Sequence, residues 1–281
     1  MNTAFIAELL EPFFEGCPAP HAVREAGGPL TPAQLDHIST YIDLLLRWNA
    51  RINLTAIRKP EEIVSRHFGE SLFLARHLFP RPGNSARPAF LTSTSNGTVV
   101  DLGSGAGFPA LPLKIWAPEI HLTLIESNHK KVAFLRETIR LLTLTNVNVI
   151  ADRAEAVLAR LTAKLPGTTS PEPALISASS ERRENPPLSS SEPPIPYTRP
   201  TPRDAPLSPA DVVTFRAIEK FDQVLPAARG FLAPAGCLAL LIGQAQISRL
   251  TTLHDLQWAC INIPQSQYRV LAIGGAKVEQ V

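Results

Sequence analysis

The chain has 281 residues, 44% of them apolar and 19% charged, with a formal net charge of +2, an ordinary balance for a water-soluble protein. No apolar run approaches the ~18 residues of a membrane-spanning helix, and Glu8, Glu11 and Glu15 stand where an export signal would need a basic start. Cys17, Cys237 and Cys260 lie far apart without a CxxC or a His/Cys cluster, so neither a disulfide framework nor a zinc site is expected, and reduced thiols suit a cytoplasmic protein.

The first thirty residues begin with a short helical pattern and continue through Pro18, Pro20, Gly27, Gly28 and Pro29, which predicts a loosely attached N-terminal arm. Thr31-Pro32 then reads as an N-cap with proline at the first helical position. Leu35, Ile38, Ile42, Leu45, Leu46 and Trp48 follow at helical spacing. A second helical stretch opens at Lys59-Pro60-Glu61-Glu62 and carries Ile63, Val64, Phe68, Leu72, Leu74 and Leu78 on one pattern. Residues 31–80 are therefore expected to form a helical cap. Between Arg47 and Arg81 seven basic residues face three acidic ones, so the basic character is local; a solvated helical face and a nucleic-acid footprint both remain open on charge alone.

Residues 81–98 are turn-rich and read as a linker. Short apolar strands then alternate with helical segments: Thr98–Leu102, His121–Ile125, Val147–Ile150, Asp211–Phe215, Cys237–Ile242, about Trp258–Ile263 and Arg269–Ile273. This alternation predicts βαβ units and a mostly parallel, seven-stranded sheet closing in a hairpin-like last pair. The fold class expected is α/β, a Rossmann-like sheet of the class I methyltransferase type with an N-terminal helical cap, the sheet domain spanning 99–281. One stretch breaks the pattern. Of the 27 prolines, 12 fall with 8 serines between Leu165 and Ala210, among few large apolar residues and with no period. Such a segment cannot bury enough surface to offset its ordering entropy, and it is expected to be a disordered insert within one domain.

The most informative stretch is Val99-Val100-Asp101-Leu102-Gly103-Ser104-Gly105-Ala106-Gly107-Phe108-Pro109. An apolar strand runs into glycines at alternate positions and then a helix, which gives a sharp backbone turn with no side chains over it and N–H groups facing a ligand. A second strand ends at Ile125-Glu126, where a carboxylate can take both ribose hydroxyls. A dinucleotide fingerprint would space its third glycine one residue later. Gly103, Gly105 and Gly107 behind Asp101 instead resemble an S-adenosylmethionine loop, with a dinucleotide site and a purely structural turn as the alternatives. Asp101 is assigned to orienting the turn or the cofactor's amino group.

With that loop, the chain resembles the bacterial 16S ribosomal RNA guanine-N7 methyltransferases, the RsmG or GidB family. The resemblance rests on Trp48-Asn49, Asn53-Leu54-Thr55, Arg66-His67-Phe68-Gly69-Glu70-Ser71, the loop from Asp101 to Pro112, Leu124-Ile125-Glu126-Ser127, Lys131-Val132-Ala133-Phe134-Leu135-Arg136, Arg153-Ala154-Glu155 and Arg216-Ala217. It implies methylation of N7 of one guanine in the decoding region of the small-subunit RNA. It also implies S-adenosylmethionine bound by Gly103, Phe108, Glu126, Ala154, Glu155 and Arg216. Three positions depart from the family pattern: Phe215 stands where a serine usually precedes the arginine, Glu70 replaces an aspartate, and Leu241-Ile242-Gly243 lacks the lysine common before that glycine, which puts a phosphate role of that loop in question.

N7 of guanine carries a lone pair and no proton, so transfer needs alignment rather than an obligatory base. Exocyclic amine methylation would call for an Asn/Asp-Pro-Pro-aromatic motif after the fourth strand, which here reads Phe215-Arg216-Ala217-Ile218, and C5 methylation would call for a placed cysteine nucleophile. The catalytic candidates are Arg216, His67 and Asn53. Arg66, Glu70 and Ser71 are assigned to the RNA side, with Arg47 and Arg51 in the basic footprint. The partner expected is 16S ribosomal RNA or the small subunit, with no membrane or metal and a monomeric protein. A small-molecule methyltransferase, a non-catalytic RNA-binding module and an NAD-dependent oxidoreductase are the other readings.

Overall fold

A computed structural model of the protein describes residues 1–15, 29–80, 97–163, 207–216 and 221–276. The chain opens with α1 (Thr3–Leu10) and a 3-10 turn (Glu11–Phe14), followed by α2 (Pro32–Asn49), α3 (Pro60–Ile63), a π-helical segment (Val64–Gly69) and α4 (Glu70–Leu78). The sheet region runs β1 (Thr98–Leu102), α5 (Ala110–Trp116), β2 (His121–Ile125), α6 (His129–Leu141), β3 (Val147–Ile150), α7 (Ala154–Ala163), β4 (Ala210–Arg216), α8 (Phe221–Gly230), β5 (Leu232–Gly243), a 3-10 helix (Gln244–Thr252), β6 (Leu256–Asn262) and β7 (Arg269–Ala276).

One sheet has the strand order β3-β2-β1-β4-β5-β7-β6. Strands β1 to β5 pair in parallel, while β7 runs antiparallel between β5 and β6. Chain order reverses at β1, which has β2 on one side and β4 on the other, and open α/β sheets bind ligands at the carboxyl ends of the strands flanking such a switch. Side chains alternate between two cores, as the pleat requires. Val99, Leu122, Leu124, Val212, Ala239, Leu241, Leu271 and Ile273 join the core of the cap, whereas Val100, Leu102, Val213, Phe215, Leu238 and Leu240 share the other with α7 and α8.

The cap is thus the cover of one sheet face, and local chemistry sets where it starts. Thr31 Oγ1 accepts from the Gln34 N–H at 3.2 Å while Gln34 Oε1 accepts from the Thr31 N–H at 3.0 Å, a reciprocal N-terminal box with Pro32 behind it. Gln34 Nε2 also donates to the Ile115 carbonyl at 2.7 Å, which ties α2 to α5.

Residues 1–14 depart from the loosely attached arm expected. Asn2 caps α1, and Ile6, Leu10, Phe13 and Phe14 recur at helical spacing and are buried in the cap core. Phe14 stacks on Trp116 with ring centroids 5.5 Å apart, and the Phe13 ring lies so close to Gly69 that any Cβ there would collide with it. The rest of the expected arm, residues 16–28, lies outside the described residues, as do 81–96 of the expected linker and 165–206 of the Pro/Ser stretch; Ala210, the last residue of that stretch, already pairs with Leu232. Replacing Phe13 by Ala is expected to cost about 3–5 kcal/mol in denaturant unfolding. An unchanged unfolding midpoint would mean that the N-terminal helix is not part of the folded core.

Candidate active site

The site forms where β1, β2, β4 and β7 reach the same edge of the sheet beneath the cap. Gly103, Gly105 and Gly107 all have positive φ, at 65°, 56° and 84°, so the turn after β1 uses glycine for its backbone as well as for its lack of side chains. Gly103 and Ser104 both donate their N–H groups to the Ile125 carbonyl, at 2.8 and 3.1 Å, which pins the turn to the end of β2. The next residue, Glu126, receives the Gly105 N–H on Oε2 and the Asn128 N–H on Oε1, each at 2.8 Å. A Cβ built on Gly105 would meet only the Gly103 carbonyl, at 3.7 Å, so space lies open over the turn. At Gly107 a Cβ would strike the Tyr41 hydroxyl and Leu111, so that glycine serves the cap contact.

Asp101 sits on β1 opposite Thr214 of β4 and is 1% exposed. Thr214 Oγ1 donates to its Oδ1 at 2.6 Å, and Oδ2 has no partner among the described residues. Burial pushes this carboxyl up to about 7 against the pull of the Thr214 and Ser104 hydroxyls, with the Glu126 charge adding to the rise.

Phe108, at the end of the glycine turn, is clamped between rings. Tyr41 stacks on it at 5.3 Å and 4°, His67 at 4.7 Å and 20°, and Phe68 meets it edge-on at 5.1 Å. The Tyr41 hydroxyl donates to the Ala106 carbonyl at 2.5 Å, so the cap grips the loop by backbone and by ring. His67 Nε2 lies 2.7 Å from Thr55 Oγ1, and Thr55 is held in turn by Asn49, whose Nδ2 donates to the Thr55 carbonyl and whose Oδ1 accepts from the Leu54 and Thr55 N–H groups. Burial, followed by the charges of Arg216, Arg269 and Arg66, lowers His67 to about 3, so the imidazole is neutral at every working pH. A ring held there supports the loop and cannot act as a proton acceptor near neutrality.

The strongest electrostatic feature surrounds Glu70, which is 1% exposed. Its Oε1 receives Arg66 Nε at 3.2 Å, and its Oε2 lies 3.0 Å from both Arg216 Nη2 and Arg269 Nη2. Arg216 Nη2 also donates to the Arg66 carbonyl at 2.8 Å, whereas Arg216 Nη1 and Arg269 Nε are buried without a hydrogen-bond partner among the described residues. One carboxylate therefore serves three guanidiniums, brought together from the π segment, β4 and β7. Burial lowers Arg216 to about 10, still fully charged near neutral pH.

Several expected site residues lie elsewhere. Glu70 is buried and pairs with Arg66, Arg216 and Arg269 rather than lying at the surface. Ser71 is fully buried and donates to the His67 carbonyl at 2.6 Å, a helix contact rather than an RNA contact. Asn53, Arg47 and Arg51 are exposed on α2 and the loop after it, and Arg47 Nε donates to the Asp43 carbonyl. Ala154 and Glu155 form the first turn of α7, just after β3, whose Ile150 carbonyl accepts the Glu126 N–H at 3.1 Å. Ile242, where a lysine was missed, is buried in the second core, and Arg269 pairs across the strands with the following Gly243. Arg269 was not singled out from the sequence; its sign was a cation at the start of a strand whose partner strand could not be read. Cys237 is buried and Cys260 exposed, while Cys17 lies outside the described residues.

The strand order with its antiparallel seventh strand, together with a glycine turn answered by an acid at the end of β2, is the architecture of a Rossmann-like α/β sheet of the class I methyltransferase type. Residues 34–165 match the model of one family, GidB, rRNA small subunit methyltransferase G. It is 44% identical over 131 residues to the Ribosomal RNA small subunit methyltransferase G of Chloroflexus aggregans, covering 47% of this chain and 49% of that protein. With the protein of the same name from Xylella fastidiosa strain 9a5c it shares 45% identity over 122 residues, covering 43% and 50%. The chain spans about half the length of the curated relatives it matches.

Because the Asp101 carboxyl titrates higher folded than the ~3.9 of an unfolded aspartate, the stability it contributes is complete at low pH and is lost as pH rises through about 7. Asp101→Asn keeps the acceptor for Thr214 and removes the titration. In ligand-free urea unfolding, the gap between the variant and the parent should widen by up to ~1.4 kcal/mol per pH unit between pH 5 and 7. Parallel pH curves would contradict a buried, raised carboxyl.

Proposed function

We propose that this protein is an S-adenosylmethionine-dependent methyltransferase that methylates N7 of a guanine in the RNA of the small ribosomal subunit. The observation that carries this reading is the pairing of the Gly103–Gly107 turn with Glu126 beneath the cap, with Arg66 of the cap, Arg216 of β4 and Arg269 of β7 gathered at the same edge. Two features of the chain fit the cofactor: the unpartnered Asp101 Oδ2 beside the turn, and the open space above Gly105. The cofactor supplies a methyl group activated on a sulfonium. Glu126 would hold the ribose hydroxyls, Asp101 the amino end, and Gly103, Gly105, Gly107 and Phe108 the floor, with Ala154 and Glu155 beside the adenine.

The chain's own residues then have an alignment task. Phe108 is fixed by Tyr41, Phe68 and His67, so the floor of the site cannot shift when the acceptor base arrives. His67, lowered to about 3, is too weak a base to take a proton near neutral pH, and a nucleophile that carries a lone pair and no proton asks none of it. The free Nη1–H of Arg216 is available for O6 of the guanine; donation to N7 would tie up the attacking lone pair. Arg66, half-exposed at the rim, is placed for a backbone phosphate, and the exposed Arg47 and Arg51 extend the positive surface.

The test is transfer of labelled methyl from S-adenosylmethionine to undermethylated small subunits or their RNA, with mass mapping of the product nucleotide. Label at guanine N7 is expected; label elsewhere, or none, would refute the proposal. Glu126→Ala should weaken cofactor binding on the order of tenfold to a hundredfold in calorimetry, and Arg216→Ala should abolish transfer while cofactor binding survives. Wild-type transfer by either variant would remove that residue from the site.

A further inference from the structure

The turn between β6 and β7 lies beside the arginine cluster and has no part in the reading above. Tyr268 is 74% exposed there, the most exposed large apolar side chain among the described residues. Its backbone is nevertheless fixed. Gln244 donates its N–H to the Tyr268 carbonyl at 2.9 Å, Ile263 donates to the Arg269 carbonyl at 3.3 Å and Ser266 to the Ile263 carbonyl at 3.2 Å. Gln265 is held at φ 57°, a left-handed conformation that a non-glycine residue adopts only at a cost. A tethered, strained turn that holds an aromatic ring out in water has no explanation in core packing.

Beside the ring is an open pocket of about 350 Å³ lined by Arg66, Gln265, Ser266, Gln267, Tyr268 and Arg269. Its volume is in the range of small-ligand sites. No acidic side chain lines it, and the nearest counter-charge, Glu70, is buried behind it and already shared among three arginines. The wall chemistry is that of a nucleotide site: a flat ring for a base, two guanidiniums for a phosphate, and amide and hydroxyl groups for a base edge or a 2′-hydroxyl. Arg269 and Arg216 share Glu70 Oε2, so the pocket adjoins the position proposed for the acceptor guanine.

We propose that this pocket binds a single-stranded RNA nucleotide next to the methylated guanine, its base stacked on Tyr268 and its phosphate against Arg66 and Arg269. The inference rests on the function proposed above and assigns the β6–β7 turn as the second wall of the RNA groove, opposite the cap. Tyr268 is a binding residue in this scheme and takes no part in methyl transfer.

The experiment is fluorescence anisotropy of the full chain with a labelled single-stranded RNA of about 12 nucleotides. Tyr268→Ala is expected to weaken binding roughly fivefold to a hundredfold, and Tyr268→Phe should stay within about twofold, because the stacking face is kept. Arg66→Ala should lower the slope of log affinity against log salt by about one. The ring is solvent-exposed, so Tyr268→Ala should unfold at the same temperature as the parent and bind S-adenosylmethionine equally well. Binding of the parent that is undetectable, binding by Tyr268→Ala that equals the parent, or an equal loss in Tyr268→Phe would each overturn the inference. Tyr268-dependent RNA binding in a protein that transfers no methyl to guanine N7 would support the pocket and refute the proposed function alone.

Discussion

The arginine cluster that joins the cap to the carboxyl edge of this sheet depends on one buried carboxylate. Glu70 holds Arg66 from the cap, Arg216 from β4 and Arg269 from β7. Three guanidiniums this close would repel one another and lose solvation; a single anion in a low-dielectric pocket makes the cluster tenable, and its removal would leave uncompensated buried charge costing several kcal/mol. The cluster keeps a positive excess at this edge.

The same contacts join cap to sheet. Without the cap, Phe108 would lose its ring partners and the glycine turn would lose the Tyr41 tether on Ala106. Without the sheet, the Arg66 carbonyl of the π segment would lose the Arg216 guanidinium that donates to it. The two carboxylates beside the glycine turn are set apart by environment: Glu126 accepts two backbone N–H groups, whereas Asp101 is buried with one oxygen unpartnered and is driven toward protonation. A positively charged group arriving beside Asp101 would restore its ionised form, which couples ligand binding to proton release in this half of the site.

The first three strands were legible in the sequence to the residue, because each is a short apolar run bounded by turn residues, whereas β5 begins at Leu232 rather than Cys237 and β7 runs on to Ala276 rather than Ile273; the glycine turn with Glu126 was legible from spacing. The order of the last two strands was not. Only the pairing of β7 with β5 carries Arg269 to the carboxyl edge, where it completes the cluster, and no local pattern encodes that pairing. Glu70 and Ser71 fell within a stretch read as facing substrate, but the register of the helix after the π segment turns both inward. The packing of residues 3–14 was obscured by the prolines and glycines that follow, although Ile6, Leu10, Phe13 and Phe14 already had helical spacing. Asn49 and Thr55 support His67 through side-chain-to-backbone bonds across a short loop, which leave no mark on hydrophobic periodicity.

The central claim, that Glu70 couples the cap to the sheet edge, is tested most directly by a double-mutant cycle in urea unfolding with Glu70→Gln, Arg216→Met and the pair together. A buried ion pair acting as described predicts a coupling energy of about 1–3 kcal/mol between the two positions. Single-variant effects that add to within about 0.5 kcal/mol would contradict it.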